Sequence, residues 1–385
     1  MHQSIRMRSH VMNEEIVLRI LHEEHIDLIA SLPCDKNKRL TYLLPSEFPV
    51  LDLTREEDGV GICAGAVLAG KRPVMSIQSS GLGNMLNALL SLSCVYHFPL
   101  PILASWRGVW NEAICAQIPF NKPLPEILDV YHIPYMIFRT DKDLEGIRDV
   151  IHRAFEQQTP YVALILPSCW EPQQHVEITY PVRSIPEKII SLPSCVSPKL
   201  TRLEAISTIV SLIPENAVII SNIGVPSKEL FAAKDRAGNF YMLGSYMQAS
   251  AIGLGCAFCS PATPVYVIDG DGSLLGSAVL PVIAAQHLSN LHIMALDNGT
   301  FGSTGNQMSP AYATADLGML ALAVGITSVL RVSSHEGIAD AISRRVPFVH
   351  ILIRPMNSTS PNISMTPGDI RRRVESFLQK QGREK

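Results

Sequence analysis

Short apolar runs alternate with helical stretches along most of this chain. Apolar runs of four to eight residues are typical of buried strands, and strands that alternate with helices form parallel sheets. The predicted strands of the first part are 28–32, 50–53, 73–77, 100–104, 135–138 and 161–166. We therefore predict a doubly wound α/β domain over residues 13–170, after a flexible arm at 1–12.

A second α/β series follows a polar segment that is rich in proline. Five prolines punctuate residues 171–198, and we predict a linker there. Beyond it, the predicted strands are 218–221, 240–243, 265–269, 291–296, 326–332 and 348–353. Residues 199–385 are therefore predicted to form a second doubly wound parallel-sheet domain, whose last helix starts near Thr366-Pro367.

The stretch from Val265 to Pro310 carries the candidate chemistry. Its first strand ends at Asp269 and passes into Gly270-Asp271-Gly272. A helical pattern from Leu275 to Ile283 then leads to a strand that ends in Asp297-Asn298-Gly299. Parallel strands place both turns at the carboxyl edge of the sheet, where such sheets bind ligands. We therefore expect the two turns to face one ligand.

The two turns offer hard oxygen donors. Asp271 has a carboxylate, Asn298 has an amide oxygen, and the chain near Thr300 can present a backbone carbonyl. Such a set suits Mg²⁺ that keeps further positions for phosphate oxygens and water. Gly270 and Gly272 allow a diphosphate to approach the backbone closely. We therefore predict a Mg²⁺–diphosphate site; the alternative, an ordinary strand-to-helix turn, would not explain the second turn.

The stretch GDGS…DNGTFGSTGNQ resembles the cofactor-binding motif of thiamine-diphosphate-dependent decarboxylases and synthases. Their usual Asn-Asn pair is Asp297-Asn298 here, so the first position departs from the pattern. The resemblance implies the thiamine-diphosphate-binding fold, with thiamine diphosphate and Mg²⁺ as cofactors. The residues implied to contact the cofactor are Gly244, Ser245, Tyr246, Met247, Gly270, Gly272, Ser273 and Gly302. Relatives have the sequence Gly-Ser-Met-Gly at the positions of 244–247. Either Tyr246 or Met247 could therefore support the bent cofactor here, and the sequence does not decide between them.

A second motif, LTREEDGVGICAGAVLAG, lies in the first domain. It resembles the activating-glutamate motif of the family's pyrimidine-binding domain. Aligning Gly65-Ala66 with the family's glycine-aromatic pair implies that Glu56, rather than Glu57, is the acid that bonds the aminopyrimidine ring. The alternative is an acid that is solvated at the N terminus of a helix, where negative charge is favoured. We assign this alternative to Glu57 or Asp58.

Three more segments, SLPCDK, QSSGLGN and PLPILASWRG, resemble sulfopyruvate decarboxylases, with phosphonopyruvate decarboxylases as near kin. In the former, the two domains can be separate α and β subunits, which this chain would fuse through the linker. The resemblance implies decarboxylation of an anionic 2-oxo acid, 3-sulfopyruvate, to sulfoacetaldehyde and carbon dioxide, on the route to coenzyme M in methanogens.

Three alternative functions follow from the same features. Phosphonopyruvate decarboxylation is the same chemistry on another anion. A carboligase resembling acetohydroxyacid synthase would generally need a middle domain, for which the chain is too short. A non-enzymatic nucleotide-binding protein would explain Gly270–Gly272 but not the glutamate motif in the first domain.

Candidate ligands for the distal anion of the substrate lie near predicted strand ends. Lys36 and Arg107 are cations at the binding edge of the first sheet, and a structural ion pair is the alternative role for Arg107. The neutral candidates are Ser79, Asn84 and Gln117. The resemblance also implies a homodimer or larger homo-oligomer, with each active site between the first domain of one chain and the second domain of another.

Composition adds only broad limits to this picture. The 385 residues are 47% hydrophobic and 17% charged, which fits two folded domains. A net charge of −3 gives no reason to expect nucleic acid or a membrane surface as partner. The apolar segment 317–330 is too short to span a bilayer, and the eight cysteines lack metal-site spacings. We therefore expect a cytoplasmic protein with free thiols, including Cys256 and Cys259.

Overall fold

Two parallel six-stranded sheets form the framework of this computed structural model, which describes residues 12–170, 192 and 197–383. The first sheet contains β1 (Leu28–Ser31), β2 (Val50–Asp52), β3 (Pro73–Gln78), β4 (Leu100–Ser105), β5 (Tyr135–Phe138) and β6 (Pro160–Ile165). The second part contains β7 (Val218–Ser221), β8 (Asn239–Tyr241), β9 (Val265–Gly270), β10 (Leu291–Asp297), β11 (Thr300–Phe301), β12 (Gln307–Met308), β13 (Val329–Val332) and β14 (Phe348–Leu352).

The strand order is β2-β1-β3-β4-β6-β5 in the first sheet and β13-β14-β10-β9-β7-β8 in the second. Strands β11 and β12 form a separate antiparallel pair. Central strands such as β4, β6 and β10 are buried along their whole length, because helices cover both faces of a doubly wound sheet. The prediction of two parallel-sheet domains is confirmed, and the predicted strands agree with the observed ones to within about three residues at each end.

Helices connect the strands in both domains. Those of the first domain are α1 (Asn13–Glu23), α2 (Lys38–Glu47), α3 (Glu56–Leu68), α4 (Gly81–Ala88), α5 (Ile118–Asn121), α6 (Leu124–Val130) and α7 (Ile147–Gln157). Those of the second are α8 (Arg202–Leu212), α9 (Val225–Ala233), α10 (Ala249–Cys259), α11 (Asp271–Gly276), α12 (Val279–Gln286), α13 (Leu317–Val324), α14 (His335–Ser343) and α15 (Pro367–Arg383). As predicted, Thr366 caps α15, where its hydroxyl accepts a 3.2 Å hydrogen bond from the Asp369 amide.

Two predicted segments fall largely outside the described residues. They are the arm, of which residue 12 alone is described, and the linker at 171–198, of which residues 192, 197 and 198 are described. Within the described ranges, no helix combines the length and the apolar character that a membrane span requires. Cys256 and Cys259 lie in α10 as free thiols, as predicted, and burial raises the pKa of each thiol to about 12.

The apolar pattern from Leu275 to Ile283 forms two helices rather than one. Ser277 is extended, with φ −92° and ψ 152°, and separates α11 from α12. Its hydroxyl donates to Asp58 at 2.9 Å, and the neighbouring carbonyl of Ala278 accepts from the Thr54 hydroxyl at 2.7 Å. Hydrogen bonds to the first domain therefore replace helical bonds at this point.

The two domains meet where α3 crosses α10. A side chain on Gly65 would overlap the carbonyl oxygen of Ile252 and would lie 2.6 Å from the amide nitrogen of Cys256. A side chain on Gly255 would lie 2.7 Å from the carbonyl carbon of Ile62. The two backbones are thus in direct contact, which only glycine permits.

The N-terminal half of α3 lies against the start of α10. Gly61 lies against Gln248, and Gly65, one turn later, lies against Ile252. The N-terminal half of α3 therefore lies beside the N terminus of α10. The bonds of Asp58 to Ser277 and of Thr54 to Ala278 bring the two motif segments together within one chain. The prediction that each site forms between two chains stays a prediction. A 171–198 linker would span roughly 90 Å if fully extended, so its length also permits the two segments to meet within one chain.

Candidate active site

A cavity of about 420 Å³ opens at the carboxyl edge of the second sheet. Its size is within the range of small-molecule sites. Among the residues proposed from sequence, those that line it are Tyr246, Gly270, Asp271, Gly272, Ser273, Asn298, Thr300 and Gly302. The two turns after β9 and β10 therefore face one cavity, as the strand pattern predicted.

The candidate metal ligands are buried and incompletely hydrogen-bonded. Asp271 accepts a hydrogen bond from the Ser309 hydroxyl, and burial raises the pKa of its carboxyl to about 6, with a further contribution from the charge of Asp297. The Asn298 Oδ1 accepts from the Thr300 amide at 3.1 Å. The Asn298 Nδ2 and Thr300 Oγ1 atoms are buried without a hydrogen-bond partner among the described residues.

This donor set fits a hydrated Mg²⁺ bound to a diphosphate. Buried polar groups are normally paired, so several unpartnered ones around a carboxylate indicate a polar ligand. The hydroxyl of Ser273, next to Gly272, is another buried atom without a partner in the described part of the chain. No three His, Cys, Asp or Glu side chains cluster as a metal site within the described ranges, so the site depends on mixed oxygen donors.

The loop 244–247 has a strained backbone. Ser245 and Met247 have φ values of 68° and 71°, in the left-handed region that non-glycine residues rarely adopt. Between them, the Tyr246 hydroxyl donates to the Gly272 carbonyl at 2.6 Å and its side chain lines the cavity. Met247 instead packs against Gly276, where an added Cβ would lie 3.2 Å from the Met247 Cγ. Of the two candidate supports, Tyr246 is the one that faces the cavity.

Glu56 is the first residue of α3 and is buried. Its Oε2 accepts a hydrogen bond from the Asn84 amide at 3.0 Å, and a side chain on Gly81 would lie 2.7 Å from its carboxyl carbon. By contrast, Glu57 pairs with Arg55 at 3.1 Å. Of the two acids, Glu56 is the one that is held by a neutral donor. It does not line the cavity and lies at the N terminus of α3, the end nearest to the start of α10.

Arg107 is buried and forms ion pairs with the buried Glu112 and the exposed Asp35. Its guanidinium donates to Glu112 at 2.7 and 2.9 Å and also to Asp35, and its side chain is 3% exposed. This bonding raises the pKa of Arg107 and lowers that of Glu112 to about 2. Asp35 also pairs with Lys36 at 3.3 Å. The ion-pair role considered for Arg107 is therefore present in the structure.

The neutral substrate candidates gather around the same strand ends. Ser79 is fully buried and its hydroxyl accepts from the Arg107 amide at 3.0 Å. Gln117 accepts from Gln78 at 3.2 Å, whereas Asn84 is bonded to Glu56. The structure thus brings the candidates together at the carboxyl edge of the first sheet.

Two features of the site carried no local sequence signal. Arg202, at the start of α8, lines the cavity, is paired with the buried Glu229 at 2.7 Å, and donates to Asn357 at 2.7 Å. Asn357 in turn donates to the Gly302 carbonyl at 2.7 Å. The two contacts of Asn357 join residues 155 and 55 positions apart, and only the folded chain reveals that they support the backbone at Gly302.

Comparison with known proteins agrees with this geometry. The family model of the C-terminal thiamine-pyrophosphate-binding domain of thiamine pyrophosphate enzymes matches residues 231–350. The sulfopyruvate decarboxylase of Methanosarcina acetivorans is 43% identical over 378 residues, covering 95% of this chain and 97% of that protein. The chain belongs to the sulfopyruvate decarboxylase family.

The two halves of this family member also match separate proteins. The sulfopyruvate decarboxylase subunit alpha of Methanococcus maripaludis is 34% identical over 160 residues, covering 41% of this chain and 96% of that subunit. The subunit beta of Methanothermobacter thermautotrophicus is 38% identical over 181 residues, covering 46% of this chain and 94% of that subunit. The prediction of an α-like part followed by a β-like part is therefore confirmed.

The fold also matches solved structures. The thiamine-diphosphate-dependent 4-hydroxybenzoylformate decarboxylase of Rhodococcus jostii superposes with a TM-score of 0.69 at 13% identity, covering 91% of this chain and all of that one. At this identity the likeness establishes the fold alone.

Proposed function

We propose that this chain decarboxylates 3-sulfopyruvate to sulfoacetaldehyde and carbon dioxide with thiamine diphosphate and Mg²⁺, as a step towards coenzyme M. The observation that carries the proposal is the 43% identity to a sulfopyruvate decarboxylase along almost the whole chain. When bound, thiamine diphosphate supplies the electron sink for loss of carbon dioxide. The chain's own residues bind, orient and exchange protons around it.

Asp271, Asn298 and the carbonyl of Thr300 are the proposed Mg²⁺ ligands. The support is their position on one cavity wall, with one carboxylate and several unpartnered polar atoms. Gly270, Gly272, Ser273 and Gly302 would border the diphosphate. Asp271→Ala should abolish Mg²⁺-dependent retention of thiamine diphosphate, because it removes the charged ligand. Retention at the wild-type level would contradict the assignment.

Glu56 is the proposed proton-transfer residue. A carboxylate that bonds a ring nitrogen of the aminopyrimidine can move a proton at that atom. Asn84 holds the Glu56 Oε2 at 3.0 Å and so fixes the orientation of the carboxylate. Burial at the domain boundary also keeps water away from this group.

Arg107, Lys36, Ser79 and Gln117 are the proposed surroundings of the distal sulfonate. A guanidinium has five N–H donors, and the bonds to Glu112, Asp35 and Gln78 use four of them. Cys34 is a further side-chain partner of the guanidinium, so an anionic ligand would replace one of the partners other than Glu112, with which the ion pair stays formed. The same chemistry would accept a phosphonate, so phosphonopyruvate is the second candidate substrate.

The specificity constants for sulfopyruvate and phosphonopyruvate test the substrate proposal. The two distal groups are similar in shape but differ in their protons and charge. We expect kcat/KM to be higher for sulfopyruvate. A clear preference for phosphonopyruvate would overturn the substrate while leaving the cofactor proposal intact, and no turnover of either would overturn both substrates.

We also propose that the working enzyme is a homodimer or a larger homo-oligomer in the cytoplasm. The support for assembly is that two relatives are named as subunits, alpha and beta, of sulfopyruvate decarboxylase. Sedimentation analysis of the purified protein measures this directly. A monomer with full activity would contradict the proposal.

A further inference from the structure

The first residue of the Asp297-Asn298 pair has a dedicated partner. Its Oδ2 lies 2.8 Å from the Nε2 of His350, and its Oδ1 accepts a hydrogen bond from the Gly299 amide at 2.9 Å. Asp297 and His350 are 5% and 3% exposed, respectively. Both oxygens of a buried carboxylate are therefore fixed.

His350 is itself held in place from its other side. It lies on β14, next to β10, and its Nδ1 is 3.4 Å from the Nε of Arg331. Arg331 also pairs with Asp316, whose Oδ1 lies 3.7 Å from the same Nδ1. Four side chains thus form a continuous network from the edge of the second sheet to the turn after β10.

That turn carries two proposed metal ligands. Asp297 Oδ1 fixes the Gly299 amide, and Asn298 Oδ1 fixes the Thr300 amide at 3.1 Å. Gly299 has φ 65°, so the chain reverses direction here through a left-handed conformation. A rotation of the Asp297 carboxylate would release the Gly299 amide and would alter where Asn298 and Thr300 point.

We propose that His350 is a positioning residue for the Mg²⁺ site and acts through Asp297. It holds the Asp297 carboxylate so that the turn 298–300 presents its oxygens to the metal. The inference rests on the proposed function, because it needs Mg²⁺ at this turn. An asparagine at position 297 would carry no charge that needs such a partner, so His350 and Asp297 act as a pair.

The pair predicts a specific pattern of metal affinities. Outer partners of metal ligands commonly change affinity by about 10- to 100-fold when removed. We expect His350→Ala to weaken Mg²⁺ binding by about 10-fold or more, because the buried Asp297 carboxylate loses its donor and turns away. The affinity of Asp297→Asn for Mg²⁺ should stay within about threefold of the wild-type affinity. The double variant His350→Ala with Asp297→Asn should lose less affinity than His350→Ala alone, because a neutral amide at position 297 tolerates the loss of the donor.

A matched control is available on the neighbouring strand. His292 lies on β10, is likewise 3% exposed, stacks on Tyr266 and bonds the Val346 carbonyl at 3.2 Å. Among the residues that the structure describes, it has no hydrogen bond or ring contact with the turn 298–300. His292→Ala should therefore cost stability without changing the affinity for Mg²⁺.

The test is calorimetric titration of Mg²⁺ into the full-length protein saturated with thiamine diphosphate, with circular dichroism to verify folding. Equal affinity of wild type and His350→Ala would overturn the inference, and so would an equal loss in His292→Ala or in Asp297→Asn. If His350→Ala does not fold, His350→Gln replaces it; its amide can donate to Asp297, and wild-type affinity is expected. A tenfold loss of Mg²⁺ affinity in His350→Gln would overturn the positioning role of His350. Absence of Mg²⁺ binding in the wild type would instead refute the proposed metal site itself.

Discussion

The close crossing of α3 and α10 makes Gly65→Ala a sharp test of how the site is assembled. An alanine Cβ at this position would overlap the Ile252 carbonyl oxygen and would lie 2.6 Å from the Cys256 amide nitrogen. Ordinary contacts between such atoms begin near about 3.4 Å, so the two backbones would have to separate by roughly 1 Å. Both obstructing atoms belong to the backbone of a helix, which cannot rotate away as a side chain can.

The expected cost follows from two opposing effects. Overpacking a tight contact typically costs about 1–3 kcal/mol, and a clash with backbone is at the upper end of that range. Alanine in place of glycine inside a helix returns about 1 kcal/mol. The net destabilisation should be about 2 kcal/mol. The affinity for thiamine diphosphate should fall as well, because separation of α3 from α10 moves Glu56 away from the loop 244–247.

Urea unfolding followed by circular dichroism measures the first effect, and quenching of intrinsic fluorescence by thiamine diphosphate with Mg²⁺ measures the second. Gly382→Ala is the matched control, since Gly382 lies in α15 and its added Cβ would meet nothing within 4 Å. That variant should be as stable as wild type or slightly more stable. Wild-type stability and cofactor affinity in Gly65→Ala would refute the reasoning.

Three further predictions concern single groups. Burial and the neighbouring Glu57 raise the pKa of Asp58 from 3.8 to about 6, so the folded state holds this proton more tightly and stability falls as pH rises from about 4 to about 6. Asp58→Asn should remove this pH dependence and raise the free energy of unfolding at pH 7 by about 2–3 kcal/mol. If the variant changes neither the pH dependence nor the stability, the Asp58 carboxyl is solvated and the reasoning is wrong. Arg107→Met should destabilise by about 1–3 kcal/mol, because Glu112 loses its charged partner and keeps only the backbone amides of Gly108 and Ile114. Arg107→Met with Glu112→Gln should restore folding and should raise KM for sulfopyruvate more than for pyruvate; equal increases in KM for the two substrates would mean that Arg107 has only its ion-pair role. Mixing Glu56→Gln and Asp271→Ala chains under subunit exchange should restore no activity if each chain builds its own site, as the α3–α10 contact indicates, and recovered activity would mean that sites cross chains.

The strand pattern was predictable because each buried strand is a local property of its own residues. Apolar runs such as 100–104 and 291–296 need only their own composition to indicate a strand buried on both faces. The break at Ser277 was not predictable, because the helical pattern continues through it and the competing hydrogen bonds come from Thr54 and Asp58 in the other domain.

The site was predictable where one motif carries its chemistry and unpredictable where distant residues support it. Asp271 and Asn298 follow adjacent strands, so their meeting at one cavity follows from sheet topology. The ion pair of Arg107 with Glu112 depends on how the loop after β4 folds back. The bond between His350 and Asp297 depends on the pairing of β10 with β14, for which no local pattern is available.

The proposed function depends most on the activation of thiamine diphosphate by Glu56 at the cavity of the second domain. The most direct measurement is the rate of hydrogen–deuterium exchange at the thiazolium carbon of the bound cofactor, followed by quenched-flow sampling and proton magnetic resonance. We expect the wild-type protein to accelerate this exchange over the free cofactor, and we expect Glu56→Gln, with the cofactor still bound, to exchange about 10²- to 10⁴-fold more slowly than wild type. A wild-type exchange rate in Glu56→Gln, or no acceleration by the wild type, would contradict the role of Glu56.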